Sequence, residues 1–232
     1  MQRRFVLPTS LAIVTLCAAG YLFFIREDRS GSFDLNPLPV GYHSHGIDVS
    51  HHQGKIDWDE LLSAMDSTLS FIYCKATEGV RFVDDQWETN EAALSQSHVS
   101  HGAYHFFKPK QDAIHQADHF LSKTIGSYGT LPPVLDVETA GNSDRELIDK
   151  MKQWLQRVEQ TSGIRPVIYT SYHYYVDKFR GKFSGYQFWI ASYSGEKPGL
   201  NDPEVIHWQY SDHGRIPGTD EYVDLNFSKQ TL

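Results

Sequence analysis

An alternation repeated four times most narrows what this chain can become. A short run rich in β-branched and aromatic residues is followed each time by a stretch with helical spacing. The strand-like runs fall at 45–50, 69–77, 101–107 and 132–138, and the helical stretches at 58–65, 84–96, 111–123 and 143–160. Strands that alternate with helices of this length build a parallel sheet with the helices packed outside it. Four more strand-like runs follow at 166–171, 187–193, 205–210 and 222–228, with little room for helices among the last of them. Pro198-Gly199 and Pro217-Gly218 mark turns there instead. The reading is a single α/β domain over 42–232, a TIM-like (β/α) barrel of about eight strands with fewer helices in its C-terminal part.

The helix at 143–160 is the clearest. Ser143 and Glu146 have capping-box spacing. Leu147, Met151, Trp154, Leu155 and Val158 follow as one apolar stripe, and Gly163 ends it. The run before it, Pro132-Pro133-Val134-Leu135-Asp136-Val137-Glu138, reads as a buried strand ending in two acids. Alternate residues of a strand share a face, so Asp136 and Glu138 are expected side by side. Neighbouring carboxyls do not both ionise cheaply, so one is expected to hold its proton near neutrality, an acid beside a base.

Residues 1–30 read as an export segment. Arg3 and Arg4 precede an apolar run, and Arg26-Glu27-Asp28-Arg29 closes it. From Phe5 to Ile25 the run reaches the roughly 20 residues of a spanning helix, which suits a signal anchor; a cleaved signal peptide is the alternative. The paired arginines favour a cytoplasmic N-terminus, which leaves the domain exported, either anchored in the membrane or secreted. Residues 31–41 read as a linker. The formal charge is −8, and it becomes more negative without residues 1–30. That balance argues against nucleic acid as a partner. With Cys17 in the apolar run and Cys74 in a predicted strand, the domain has no disulfide framework.

In a barrel of this kind chemistry sits where strands end and βα loops begin. Asp48, with Ser50 on the same face, lies near the end of the first strand. Asp136 and Glu138 end the fourth, and Asp224 and Asn226 share a face of the eighth. If the barrel closes, the first and eighth strands are neighbours, and one mouth gathers four carboxylates from three strands. Tyr104, Phe106, Tyr169, Trp189 and Trp208 are candidate sugar platforms, although strand alternation must send some of them into the core.

These residues also carry a resemblance. Gly46-Ile47-Asp48-Val49-Ser50 with His52-Gln53-Gly54 and Ile56-Asp57-Trp58, Lys75-Ala76-Thr77-Glu78-Gly79, Gly102-Ala103-Tyr104-His105-Phe106-Phe107, Pro133 to Glu138, Trp189-Ile190-Ala191, Trp208-Gln209-Tyr210 and Val223-Asp224-Leu225-Asn226 resemble, in order, segments of the family 25 glycoside hydrolases. The likeness spans about residues 45–227 and is looser between Tyr172 and Gly185 and at Asp220-Glu221. It implies a flattened barrel with a long acidic groove and N-acetylmuramidase (lysozyme) activity on peptidoglycan glycan strands. It also implies Glu138 as general acid, Asp136 as the group steadying the substrate's N-acetyl group or the developing positive charge, and Asp48 and Asp224 as completing the site. Read from position alone, Asp136 and Glu138 lie too near each other for the water-filled gap of an inverting pair, which favours help from the substrate's acetamido group. No cofactor is expected, and the domain is expected to be a monomer.

Two rival readings stand beside this one. His115 and His119 lie four apart on a predicted helix, a spacing that can ligate zinc, and suggest a metal-dependent deacetylase or amidase. Gln116 stands where the H-E-x-x-H pattern needs its Glu, so a polar helix face is the simpler account and no metal site is expected. A glycan-binding module without chemistry is the other, but binding sugar does not require a costly acid cluster. A serine hydrolase finds no G-x-S-x-G elbow.

Overall fold

The strand–helix alternation closes into a barrel. A computed structural model describes residues 35–127, 129–194, 197–199 and 201–232; the expected export segment lies outside them. The elements run β1 (Ser44–Val49), α1 (Trp58–Met65), β2 (Leu69–Glu78), β3 (Phe82–Val83), α2 (Trp87–Leu94), β4 (Ser100–Phe106), α3 (Ala113–Thr124), β5 (Val134–Asp136), α4 (Asp144–Ser162), β6 (Val167–Ser171), β7 (Gln187–Ala191), β8 (Val205–Gly214) and β9 (Val223–Ser228). Residues Asn36–Leu232 form one compact unit. No helix among the described residues is long and apolar enough to cross a membrane.

Around the barrel the order is β1, β2, β4, β5, β6, β7, β8, β9 and back to β1, with β3 paired to the end of β2. From β1 to β8 the barrel pairings are parallel, while β9 is antiparallel to both β8 and β1. The sequence pattern suggests a parallel barrel that becomes strand-rich at its end, and β9 departs from the parallel arrangement. The departure has a local cause: a parallel neighbour needs a crossover of about a dozen residues, and the chain between β8 and β9 is too short for one. It turns back as a hairpin, and the functional end of the barrel therefore meets β9 at its start.

Three of the four long helices, α1, α3 and α4, begin where a side chain caps them, and α2 has no side-chain cap. Asp57 Oδ1 accepts from Glu60 N–H (3.0 Å), Asp112 Oδ1 from His115 N–H (2.8 Å) and Ser143 Oγ from Glu146 N–H (3.2 Å). At Ser143 only this half of the capping box forms, because the Glu146 carboxylate turns to Asn142 and Lys150. The reciprocal box occurs at Ser50 and Gln53, opening the short 3-10 turn His51–Gln53. α4 ends at Gly163, whose left-handed φ of 73° lets its N–H reach Glu159 O.

The apolar stripe of α4 packs under the outer face of the sheet with α3, where Trp154 meets Phe120 and the His105 ring stacks on it at 5.6 Å. The barrel lumen is a second core. Phe71, Tyr73, Val134, Val167, Trp189 and Ile206 fill it, with His207 stacked on Phe71 at 5.0 Å. Gly46 makes this filling possible, since a Cβ there would sit 2.3 Å from the Phe71 ring. The lumen is plugged below, where His207 is buried among the apolar residues, and its acidic side chains gather at the end where the parallel strands finish.

Candidate active site

Strand parity delivers the site. On β1 the inward positions are Gly46 and Asp48; on β2 they are Phe71, Tyr73 and Lys75; on β4, Tyr104 and Phe106; on β5, Val134 and Asp136. Each series passes from the apolar plug to a polar or aromatic residue at the strand's end. Asp48, Asp136, Glu138 and Asp224 all line one cleft there, with Ser50, His52, Gln53, Lys75, Tyr104, Phe106, Tyr169 and Trp189.

β5 is shorter than the sequence suggests and stops at Asp136. Val137 still keeps the line of the sheet, because its N–H donates to Tyr169 O (2.9 Å) and its carbonyl accepts from Thr170 Oγ1 (2.7 Å). Glu138 then emerges into solvent while Asp136 stays 5 % exposed. The two carboxyls lie within hydrogen-bonding reach of each other. Burial, then the charge of Glu138 and the hydrogen bond to it, push the Asp136 carboxyl well above the usual carboxylate range, with Asp48 adding to the effect and Lys75 opposing it. Asp136 Oδ1 is buried without a hydrogen-bond partner.

Asp48 and Asp224 form the second pair. They are direct partners in the β1–β9 register, and their side chains are hydrogen-bonded. Burial raises both carboxyls. Hydrogen bonds from Asn226, Gln209 and Asp224 pull Asp48 back down, while the charge of Asp48 raises Asp224 further. Asn226 Nδ2 donates to Asp48 Oδ2 at 2.8 Å and Gln209 Nε2 to the same oxygen at 2.9 Å. Of the two, Asp224 is raised the further.

The aromatic candidates divide. Tyr104, Phe106, Tyr169 and Trp189 line the cleft. Tyr169 is tied by its hydroxyl to Gln209 Oε1 (2.7 Å), and Trp189, 2 % exposed, by its indole N–H to Asn226 Oδ1 (3.0 Å). Trp208 does not reach the cleft. Its neighbours on β8, His207 and Gln209, point into the lumen, so Trp208 points outward, packs against Tyr42 and Phe227 and donates to Ser192 O (2.9 Å). Asn226 is fully buried behind Asp48 and is not among the lining residues.

Sequence reasoning passed over Lys75 and Gln209 as site residues. Lys75 is two positions past inward Tyr73 and bonds Glu78 Oε2 (2.6 Å), whose other oxygen meets Lys108 (2.7 Å). Both ammonium groups lie near the Phe106 ring, at 4.9 and 4.5 Å from its centre. Gln209 is the register partner of Asn226 across β8–β9, so its parity with Asn226 was the available signal.

The histidines at 115 and 119 do not gather. His115 faces its own cap, Asp112, at 3.6 Å, and His119 Nε2 bonds Phe82 O at 2.9 Å. Among the described residues no three His, Cys, Asp or Glu side chains are grouped so as to hold a metal.

The chain is similar to known proteins in sequence and in fold. The family model described as glycosyl hydrolases family 25 matches residues 47–219. The chain is 37% identical over 215 residues to the protein YegX of Escherichia coli strain K12, covering 91% of this chain and 79% of that one. It is 33% identical over 197 residues to lysozyme M1 of Streptomyces globisporus, covering 78% of this chain and 66% of that one. Its fold is similar to that of a family 25 glycosyl hydrolase from Bacillus anthracis, with a TM-score of 0.75 and 27% identity over 87% of this chain and 95% of that one.

Proposed function

The chain belongs to the glycosyl hydrolases of family 25, and from that premise we propose that it is a lysozyme hydrolysing the β-1,4 bond between N-acetylmuramic acid and N-acetylglucosamine in peptidoglycan. The observation that carries the reading is the pairing of buried, proton-retaining Asp136 with exposed Glu138 in a cleft that also holds Asp48 and Asp224. Glycoside cleavage needs a proton for the leaving oxygen and negative charge beside the oxocarbenium-like centre. Hydrogen-bonded carboxyls leave no room between them for the attacking water of an inverting pair, which needs about 6.5–9.5 Å.

In this mechanism the one proton held by the pair passes through Glu138, at the open side of the cleft, to the glycosidic oxygen and leaves both carboxyls charged. The C1–O bond breaks as the acetamido carbonyl oxygen of the same sugar bonds to C1. Asp136, now charged, accepts the acetamido N–H. Water then attacks C1 as the bond from C1 to the acetamido oxygen breaks, and gives a proton to the pair, which regenerates the site and retains configuration. Asp48 supplies fixed negative charge, and Tyr104 and Phe106 offer ring faces to the sugars. The basic–apolar–charged pattern of residues 1–30 supports action outside the cytoplasmic membrane.

Glu138→Gln keeps the shape and removes the proton. Its turnover on purified peptidoglycan is expected to fall roughly 10²–10⁴-fold with the fold intact. Wild-type turnover in that variant would overturn the role, and a wild-type protein that releases no reducing ends would overturn the reading in favour of a glycan-binding module.

A further inference from the structure

Behind Asp48 lies a chain of hydrogen bonds whose direction is fixed by chemistry. An indole N–H can only donate. Trp189 Nε1 points at Asn226 Oδ1 (3.0 Å), so the Asn226 amide has one orientation, with its NH₂ toward Asp48 Oδ2 (2.8 Å). The indole cannot swing away: Tyr169 packs edge-on at 4.9 Å, Tyr73 lies at 5.1 Å and His207 at 6.0 Å. Gln209 repeats the arrangement, since its Oε1 accepts from the hydroxyls of Tyr169 and Tyr193 and its NH₂ faces the same Asp48 oxygen at 2.9 Å. Asp48 Oδ2 thus meets two N–H donors and must act as acceptor.

We infer that Trp189 is a positioning residue for the reaction: through Asn226 it makes Asp48 the charged member of the Asp48–Asp224 pair and leaves the proton on Asp224. The inference rests on the muramidase reading for its catalytic meaning, but proton placement can be read without it. The consequence reaches the other pair, because the Asp48 charge helps Asp136 keep its proton. Other groups also face the two aspartates. Glu138 acts on both and Asp212 of β8 on Asp224. Asp136 at the end of β5, Lys75 of β2, His52 after β1 and the hydroxyls of Tyr104 and Tyr169 line the same cleft, and Tyr193 reaches Gln209. All of these stay in place when only the indole N–H is removed.

That removal is achieved by placing benzothienylalanine at position 189, which exchanges the N–H for sulfur at nearly constant shape. The test follows the aspartate carboxyl carbons by NMR across pH in the full chain, assigned with Asp48→Asn and Asp224→Asn. In the wild type the Asp224 signal is expected to titrate at higher pH than that of Asp48. In the sulfur isostere the Asn226 amide is free to turn its oxygen to Asp48, and the Asp48 titration moves up toward or past that of Asp224. kcat on peptidoglycan falls by about ten- to a hundredfold, the scale of one lost hydrogen bond to a charged group. KM changes by less than about twofold. The alkaline limb of the pH profile moves to lower pH because Asp136 loses the support of the Asp48 charge.

The reverse titration order in the wild type overturns the inference without any variant, should the isostere not fold. Unmoved carboxyl titrations, or full turnover, in a folded isostere overturn it as well. A wild type that never cleaves the glycan sinks the muramidase reading instead, while the carboxyl signals still report where the proton sits.

Discussion

Asp48 and Asp224 stand directly opposite each other across the antiparallel pairing of β1 and β9, hydrogen-bonded side chain to side chain. Two carboxyls held this way work against folding unless a proton sits between them. Asp224→Asn keeps a donor toward Asp48 and removes the need for that proton. Its melting temperature at pH 7 is expected to rise by roughly 2–4 °C, equivalent to about 1 kcal/mol in a domain this size. Its turnover is expected to fall by about tenfold or more. Calorimetry beside a peptidoglycan assay checks both; a destabilised variant would refute the assignment of cost to this pair.

The site should also shape stability against pH. Asp136, Asp48 and Asp224 are all raised, by burial first and by neighbouring carboxylates in addition. A carboxyl raised in the folded state binds its proton more tightly there than in the unfolded chain. Its contribution is complete below the unfolded value near pH 4 and is lost as pH rises through the folded value. Glu78 has the opposite sign. Burial alone would raise it, but Lys108 and Lys75 outweigh burial and hold it low, so its contribution is lost in acid. Denaturant melts between pH 5 and 8 are expected to show declining stability in the wild type and a flatter decline in Asp224→Asn. A stability that climbs over that range would contradict the prediction.

The plug of the barrel makes a separate prediction. A methyl at position 46 would drive into the Phe71 ring. Gly46→Ala is expected to cost about 1–3 kcal/mol, the range for overpacked cores. Phe71→Leu costs stability alone by leaving a void, yet it should relieve much of the Gly46→Ala penalty. A double-mutant cycle by urea unfolding should return a coupling of about 1 kcal/mol or more. Strict additivity would show that the two residues do not share the space.

Phe106 and Trp208 should separate by readout. Phe106 lines the cleft, and Phe106→Ala is expected to raise KM by up to about tenfold, the scale of one lost ring contact. Trp208 packs outside the lumen. Trp208→Phe is expected to lower stability by about 1–2 kcal/mol, from lost packing and the lost N–H to Ser192 O, while KM stays as it was. Steady-state kinetics at a temperature well below both melting points distinguishes them.

Much of this molecule was legible because local chemistry agreed with the tertiary structure. α1 follows Asp57, a capping residue, and runs Trp58–Met65 as its spacing predicts. α4 follows Ser143 and ends at Gly163 for the same kind of reason. The four acids could be placed at one mouth because strand parity and barrel closure are rules of geometry. Three things were not legible. The direction of β9 depends on the length of a hairpin rather than on its own residues. Trp208 could not be told from Trp189, since an aromatic residue suits either face of a strand and parity needs a register. The extent of β5 could not be read either: Asp136-Val137-Glu138 alternates like strand throughout, yet pairing stops at Asp136, and that stop buries one carboxyl of the pair while leaving the other in solvent.

On the proposed mechanism these acids cut the glycan on the reducing side of muramic acid. Mass spectrometry of fragments from defined, uncrosslinked peptidoglycan tests it most directly. The wild type is expected to form products whose new reducing end is N-acetylmuramic acid, undiminished by a chelator. Fragments ending in reducing N-acetylglucosamine, or intact glycan with its peptide or acetyl groups removed, would contradict it.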